Sequence, residues 1–311
     1  MSTAYETDQH VDPAARLEVD FTACRVAFSP WWSNNKGLTP EQRKAAASCF
    51  GAEKLKGGSV SLLDPKSKAW KRISKIRSQA RTYWTEGSLP YPEDGLRLIR
   101  RADVAMMRQR LDGFAAAIPE AIDDLNTARW ELMEWGRLNN GDLYNSADYP
   151  SDWDGLFKME VGFPTVTPPD YLRELDPEAY ERERIRAMAR FEEAVVLAEQ
   201  AFTDELAKMV SHLAEVLTGT RDGKPVQFKE SSVQNLKDFF QRFGTLSVRS
   251  NDQLDELVER ARSLVQGVSA NDLQSYDVLR QHVGQRMGEI QGHLETLLEA
   301  RPRRKVIRRA K

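Results

Sequence analysis

The chain has 311 residues, 41% hydrophobic and 30% charged, and its 45 basic and 47 acidic side chains leave a formal net charge of −2. That length accommodates one large or two medium domains with a buried core, and the charge content suits helices with solvated faces better than a compact, sheet-rich enzyme. The two cysteines, Cys24 and Cys49, have no metal-like spacing, which points to ordinary thiols in a reduced, cytoplasmic protein; no run approaches roughly 18 consecutive apolar residues, so no membrane span is expected.

Beneath the small net charge lies a strong segregation. Lys54 to Arg110 holds 14 basic against 5 acidic residues, Leu111 to Glu215 holds 9 against 23, and Arg301 to Lys311 holds seven basic residues and no acid. A chain polarised in this way suits head-to-tail association with copies of itself, or presentation of a basic surface to a polyanion. The alternative is that the opposite charges meet inside the fold.

In chain order, residues 1–14 read as a flexible leader without the regions of a signal peptide. Leu17, Val19 and Phe21 alternate with polar residues as a half-buried strand would. The turn-rich run Ser29 to Gly37 carries Trp31 and Trp32, read as core anchors beneath a loop or as an exposed binding surface. Thr39-Pro40-Glu41-Gln42 opens a short helix by capping-box logic. Gly57-Gly58 then breaks the chain before the apolar run Val60 to Leu63.

Asp64-Pro65 opens the most basic helix, in which Lys66, Lys68, Lys71, Arg72, Lys75, Arg77 and Arg81 accompany Trp70, Ile73, Ala80 and Trp84. The apolar set falls at helical spacing, so the aromatics face a core and the cations face water. Cations so arranged can neutralise phosphates, or they form a solvated or partner-docking face.

Leu89 to Pro92 reads as an extended connector, and Glu93 to Arg137 as helix interrupted or kinked at Pro119, with Leu96, Ile99, Met106, Arg110 and Phe114 on one side before that point. Between 143 and 170 aromatic residues are scattered among Asp142, Asp148, Asp152 and Asp154, and Phe157, Met159, Val161 and Phe163 alternate like a strand. The aspartate spacing does not match a calcium loop.

Asp176 to Gly219 is the strongest signal. Ile185, Met188, Phe191, Val195, Ala198, Phe202, Leu206, Met209, Leu213 and Leu217 recur at steps of three or four. Asp176 can cap the start, Pro177 can occupy the first helical position, and Gly219 can close the helix in a left-handed conformation. Three capped segments follow, opened by Ser231 with Gln234, Ser250 with Gln253, and Ser269 with Asp272, the last with Tyr276 in its apolar stripe. In this last segment Gly284, Gly288 and Gly292 fall four apart. Each glycine costs a helix about 1 kcal/mol relative to alanine, which suggests close approach of another backbone, such as the same helix of a second subunit, or else a tolerated exposed face.

Enzymatic constellations are mostly absent: there is no phosphate-cradling glycine loop, no nucleophile elbow and no Cys/His metal array, which leaves a hydrolase or nuclease built on the aspartates of 142–154 as the enzymatic alternative. His282, Glu289 and His293 lie near one helical face but are too spread for a single ion. The tail, with Arg303, Arg304, Lys305, Arg308 and Arg309, suits nucleic acid or an acidic groove.

Leu62-Leu63-Asp64-Pro65 with the basic helix, Tyr83-Trp84, the Leu89 to Pro92 connector and the helix after it, together with Phe228 to Leu236, resemble an uncharacterised protein family of phages and integrative conjugative elements. The resemblance implies genes encoded beside a MoxR-type AAA ATPase and a von Willebrand factor A protein, and it carries over no catalytic residue.

The expectation is therefore a mainly α protein: an elongated bundle of coiled-coil-like helices, a small α+β N-terminal part and a short β element near 157–163. Its segments would be a leader (1–14), an N-terminal region with the basic helix (15–140), an aromatic and acidic loop with a strand (141–170), a bundle around the long helix (171–300) and a basic tail (301–311). The expected role is non-enzymatic interaction and assembly without cofactor or metal. Expected partners are DNA, further copies of the chain, or an AAA ATPase.

Overall fold

A computed structural model describes residues 12–221, 224–225 and 230–299, and the fold is mainly helical with a few short strands. The first half comprises α1 (Pro13–Asp20), β1 (Phe21–Ala27), β2 (Asn35–Gly37), α2 (Pro40–Cys49), β3 (Ser59–Ser61), α3 (Lys68–Glu86), β4 (Leu89–Pro90), β5 (Leu96–Arg100), α4 (Val104–Ala116), α5 (Ile118–Thr127), α6 (Arg129–Asn140) and β6 (Glu160–Gly162). There follow α7 (Asp170–Leu175), α8 (Pro177–Thr218), β7 (Thr220–Arg221), β8 (Lys224–Pro225), α9 (Glu230–Leu246), α10 (Asp252–Val265), α11 (Ala270–Ser275) and α12 (Asp277–Glu299). No helix among the described residues is long and apolar enough to cross a membrane.

The chain divides into two compact units, and neither is a continuous stretch of sequence. One takes the chain up to Thr22, Gly87–Arg101 and the chain from Thr165 onward; the other takes Ala23–Glu86 and Ala102–Pro164. We call them the spine unit and the aromatic unit.

The spine unit is built on α8, whose 42 residues span about 63 Å at 1.5 Å per residue. The Asp176 carboxylate accepts the Ala179 N–H at 2.9 Å, and Pro177 starts the helix where its missing N–H removes no hydrogen bond. The buried stripe runs Ala187, Phe191, Ala194, Ala198, Phe202, Leu206, Val210, Leu213 and Leu217. It is turned slightly from the expected one: Ile185 is 59% exposed, and alanines take the contact positions because they let neighbouring helices approach. The helix does not end on a left-handed glycine either, since Gly219 has φ −74° and donates its N–H to the Glu215 carbonyl at 2.8 Å. The neighbouring carbonyls are met by Arg280 of α12, which donates to Leu217 and Val216 oxygens at 2.9 Å each. A buried cation at a helix C-terminus satisfies free carbonyls and opposes the helix dipole.

The downstream helices form largely as read, with local corrections. Phe239 and Phe243 of α9 pack on Phe202 of α8 at 6.1 and 5.0 Å between ring centroids. Asn251, one residue after the expected Ser250, caps α10 by accepting the Leu254 N–H at 3.0 Å. Ser269 and Asp272 make the expected capping box, but it serves the short α11; extended backbone at Tyr276 separates that helix from α12, and Tyr276 is 62% exposed instead of lying in the stripe.

Two expected elements change type. The strand expected at Leu17 to Phe21 is largely helix α1, started by Asp12 and Pro13, with Ala14 and Leu17 buried three apart and Val19 67% exposed. Leu96 and Ile99, expected on a helix, belong to strand β5, and the supposed connector supplies β4. These pair antiparallel with Leu89 opposite Leu98, after a turn in which Gly95 has φ +79°. A side chain at that backbone angle would be strained.

In the aromatic unit, β1 pairs antiparallel with β6 (Arg25 opposite Gly162) and β2 with β3 (Lys36 opposite Val60). The β element expected near 157–163 is thus the three-residue β6. The core combines Leu63, Ile73, Ile76, Ala121, Leu125, Trp153 and Phe157. The helix expected over Glu93 to Arg137 is three helices. The interruption expected at Pro119 occurs: α4 ends at Ala116, and Pro119 lies in the first turn of α5, where it begins a helix. The Thr39–Gln42 capping box forms as read.

Polar groups tie the loops of this unit to its core. Asn34, buried, accepts the Leu63 N–H at 2.5 Å and donates to the Leu63 carbonyl at 3.1 Å. Tyr149 donates to the Leu62 carbonyl at 2.8 Å, in space left by Gly136 of α6, where a Cβ would overlap the Tyr149 hydroxyl and lie 2.6 Å from the Leu62 oxygen.

Candidate nucleic-acid interface

Helix α3 buries Ala69, Ile73, Ile76, Ala80 and Trp84 at steps of three and four. Its remaining surface carries Lys68, Lys71, Arg72, Lys75, Arg77 and Arg81, with Glu86 the one carboxylate in the helix. The helix starts at Lys68 and not at Pro65, because Asp64 instead makes a turn, accepting the Lys66 N–H at 2.8 Å. Lys66 therefore precedes the helix.

Packing divides these cations into two sets. Arg72 is held by Glu120 at 2.7 Å and Asp124 at 2.5 Å, both on α5, and these acceptors raise its pKa further, so it is a fixed cation already matched by acids. Lys66, Lys68 and Arg72 line a cavity of about 780 Å³ whose other walls include Asp64, Asp124, Glu131 and Trp135. Cations and carboxylates are balanced in that cavity. Lys71, Lys75 and Arg81 are exposed, and among the described residues none of them makes an ion pair. With Arg77 they extend over roughly 15 Å of helix at 1.5 Å per residue.

Arg77 differs from the other three. Its guanidinium carbon lies 5.5 Å from the Phe28 ring centroid and 5.2 Å from that of Trp31. Burial lowers its pKa, and the like charge of Arg81 lowers it further. The rings and their loop are themselves fixed: Trp31 meets Phe28 and Phe157 edge to face at 5.4 and 5.2 Å, the backbone N–H of Trp32 donates to the Leu156 carbonyl at 3.0 Å, and the backbone N–H of Lys158 donates to the Pro30 carbonyl at 2.9 Å. Trp32 packs on Trp153 at 4.6 Å and Trp70 at 5.8 Å, so both adjacent tryptophans anchor the loop to the core. The placement of Phe28 and Trp31 against Arg77 has no local sequence signal, since nearly fifty residues separate them.

The other sequence candidates are distributed as follows. Gly284 is buried, and a Cβ there would lie 2.9 Å from Thr218 Cγ2 and 3.1 Å from Leu217 Cβ, so its close neighbour is α8 of the same chain; at Gly288 and Gly292 a Cβ would meet nothing within 4 Å. Of the aspartates of 142–154, three have local structural roles: Asp148 pairs with Lys36 at 2.6 Å, Asp152 accepts the Asp154 N–H at 3.1 Å, and Asp154 accepts from Asn126 at 3.2 Å. Among the described residues no group of three or more His, Cys, Asp or Glu is placed to hold a metal ion. Arg303, Arg304, Lys305, Arg308 and Arg309 lie outside the described residues. Cys24 is buried, and burial pushes its thiol up to about 11, so it is not a reactive thiolate at neutral pH.

Fold and site together define a mainly helical, two-unit protein with one basic helix, α3, of whose cations Arg72 is paired with acids while Lys71, Lys75, Arg77 and Arg81 make no ion pair among the described residues. Comparison with protein-family models, curated proteins and solved structures finds no match.

Proposed function

We propose that this chain is a non-enzymatic interaction protein that contacts nucleic acid through α3, in the phage or mobile-element setting that its resemblance implies. The observation that carries the reading is the set Lys71, Lys75, Arg77 and Arg81, which meets no carboxylate in an ion pair among the described residues, whereas Arg72, between the first two, is matched by Glu120 and Asp124. A helix face that keeps its cations free of acidic partners is suited to displacing counterions from phosphates.

The test is binding of single-stranded and duplex DNA by fluorescence anisotropy at several salt concentrations. Lys71→Ala and Lys75→Ala should each weaken binding and reduce the salt slope by roughly 0.7–0.9, while Arg72→Ala should change affinity little. Binding that is absent, or indifferent to salt, defeats the reading.

A second reading, an adaptor for a MoxR-type AAA ATPase, draws on a different surface of the aromatic unit. A cavity of about 580 Å³ has Ile118, Ile122 and Phe157 in its walls and Asp123, Asp154 and Glu160 around them, with Lys158 the one cation. That lining suits a basic, partly apolar protein segment. Asp123→Lys with Glu160→Lys would abolish capture of the ATPase on this reading and leave DNA binding intact.

A further inference from the structure

Among the free cations of α3, Arg77 has a fixed position. A guanidinium carries five N–H donors, yet Arg77 makes no hydrogen bond or ion pair among the described residues; its neighbours are the rings of Phe28 and Trp31 and the second cation Arg81. Taking a cation partly out of water beside another cation is unfavourable. The two rings offset that in part, by about 0.5–2 kcal/mol per favourable cation–π contact. What the arrangement lacks is an anion. Lysine could not substitute for the arginine here, because stacking and a planar donor fork are properties of the guanidinium alone.

We propose that Arg77, held over Phe28 and Trp31, is a phosphate seat: its N–H groups donate to the oxygens of one phosphodiester, while Lys71, Lys75 and Arg81 neutralise the adjoining phosphates without fixed geometry. The inference rests on the nucleic-acid reading of α3 and adds a defined contact to it. A phosphodiester fits better than an isolated carboxylate because Arg77 has Arg81 one turn on along its own side of the helix and the pair Lys71 and Lys75 on another side, and a polyanion offers several charges to meet them. The rings act through the arginine: Trp31 is already packed edge to face on Phe28 and Phe157, so it is a positioning residue and not a platform for bases.

The experiment uses the full chain and a fluorescein-labelled, mixed-sequence single-stranded DNA oligonucleotide, with affinity measured across salt and folding checked by the melting temperature. Arg77→Lys keeps the charge and should still weaken binding about tenfold, the equivalent of one charge-assisted hydrogen-bonded contact, with the salt slope unchanged. Lys75→Arg should bind like the parent. Trp31→Leu should weaken binding to a similar degree, and adding it to Arg77→Lys should cost little more, because residues acting as one unit are not additive. Phe28→Leu serves the same purpose if Trp31→Leu fails to fold. Parent-like affinity for Arg77→Lys, with Lys71→Ala and Lys75→Ala weakened, overturns the phosphate seat and leaves the broader reading standing. Absence of DNA binding by the parent overturns both.

Discussion

The spine unit and the aromatic unit are stabilised in different ways. Along α8 the contact positions repeat, with Ala187, Ala194, Ala198 and Ala214 spacing helices that pack over many turns, so each residue contributes a modest share. The aromatic unit relies on a few large side chains that join segments distant in sequence: Trp153 meets Trp32 and Phe157, and Trp31 meets Phe28, Phe157 and Arg77. Regular packing distributes stability, whereas convergent packing concentrates it. The cationic surface lies on the unit of the second kind, where a few rings fix the position of an arginine.

The largest expected effect tests that concentration. Trp153→Ala removes a fully buried ring and should cost about 3–5 kcal/mol in urea unfolding; a loss below about 1 kcal/mol would break the contrast. Gly136→Ala comes next. A methyl there overlaps the Tyr149 hydroxyl, so the variant should lose about 1–3 kcal/mol by overpacking, despite alanine's better helix propensity.

Titration of Tyr149 should follow. Burial first, then the neighbouring Tyr144 and Asp148, push its phenol up to about 12, against about 10 for a free tyrosine. The protonated form is favoured in the fold, so its contribution is complete below about pH 10 and disappears as pH rises through about 12. Unfolding midpoints measured from pH 9 upward should show that decline, with a smaller step in Tyr149→Phe. The smallest effect belongs to the spine unit: Gly288→Ala, in open space, should stabilise by up to about 1 kcal/mol, while Gly284→Ala, against Leu217 and Thr218, should destabilise. A loss at Gly288 would point to a contact from outside the chain.

Legibility in the sequence follows the same divide. The start of α8 at Asp176-Pro177 and the boxes at Thr39–Gln42 and Ser269–Asp272 were readable because capping is settled within four residues. Leu17 to Phe21 misled because alternation over so short a span matches both periods, and Asp12-Pro13 decided for helix. Leu96 to Arg100 carries no strand signal of its own, because its pairing partner, Leu89-Pro90, reads locally as a connector. At the candidate site the cations of α3 were legible as a set. Which of them acids would match was not, since Glu120 and Asp124 reach Arg72 from about fifty residues away.

From the sequence alone came the helical class, the 42-residue spine, the segregation of charge and the basic character of α3. These follow from periodicity, capping and composition, all of which act over a few turns of chain. Tertiary structure decided which cations stay free, that Gly284 seats against α8 while Gly288 remains open, and that Arg77 lies over Phe28 and Trp31. The reason is that burial and pairing depend on what the rest of the chain brings alongside a residue.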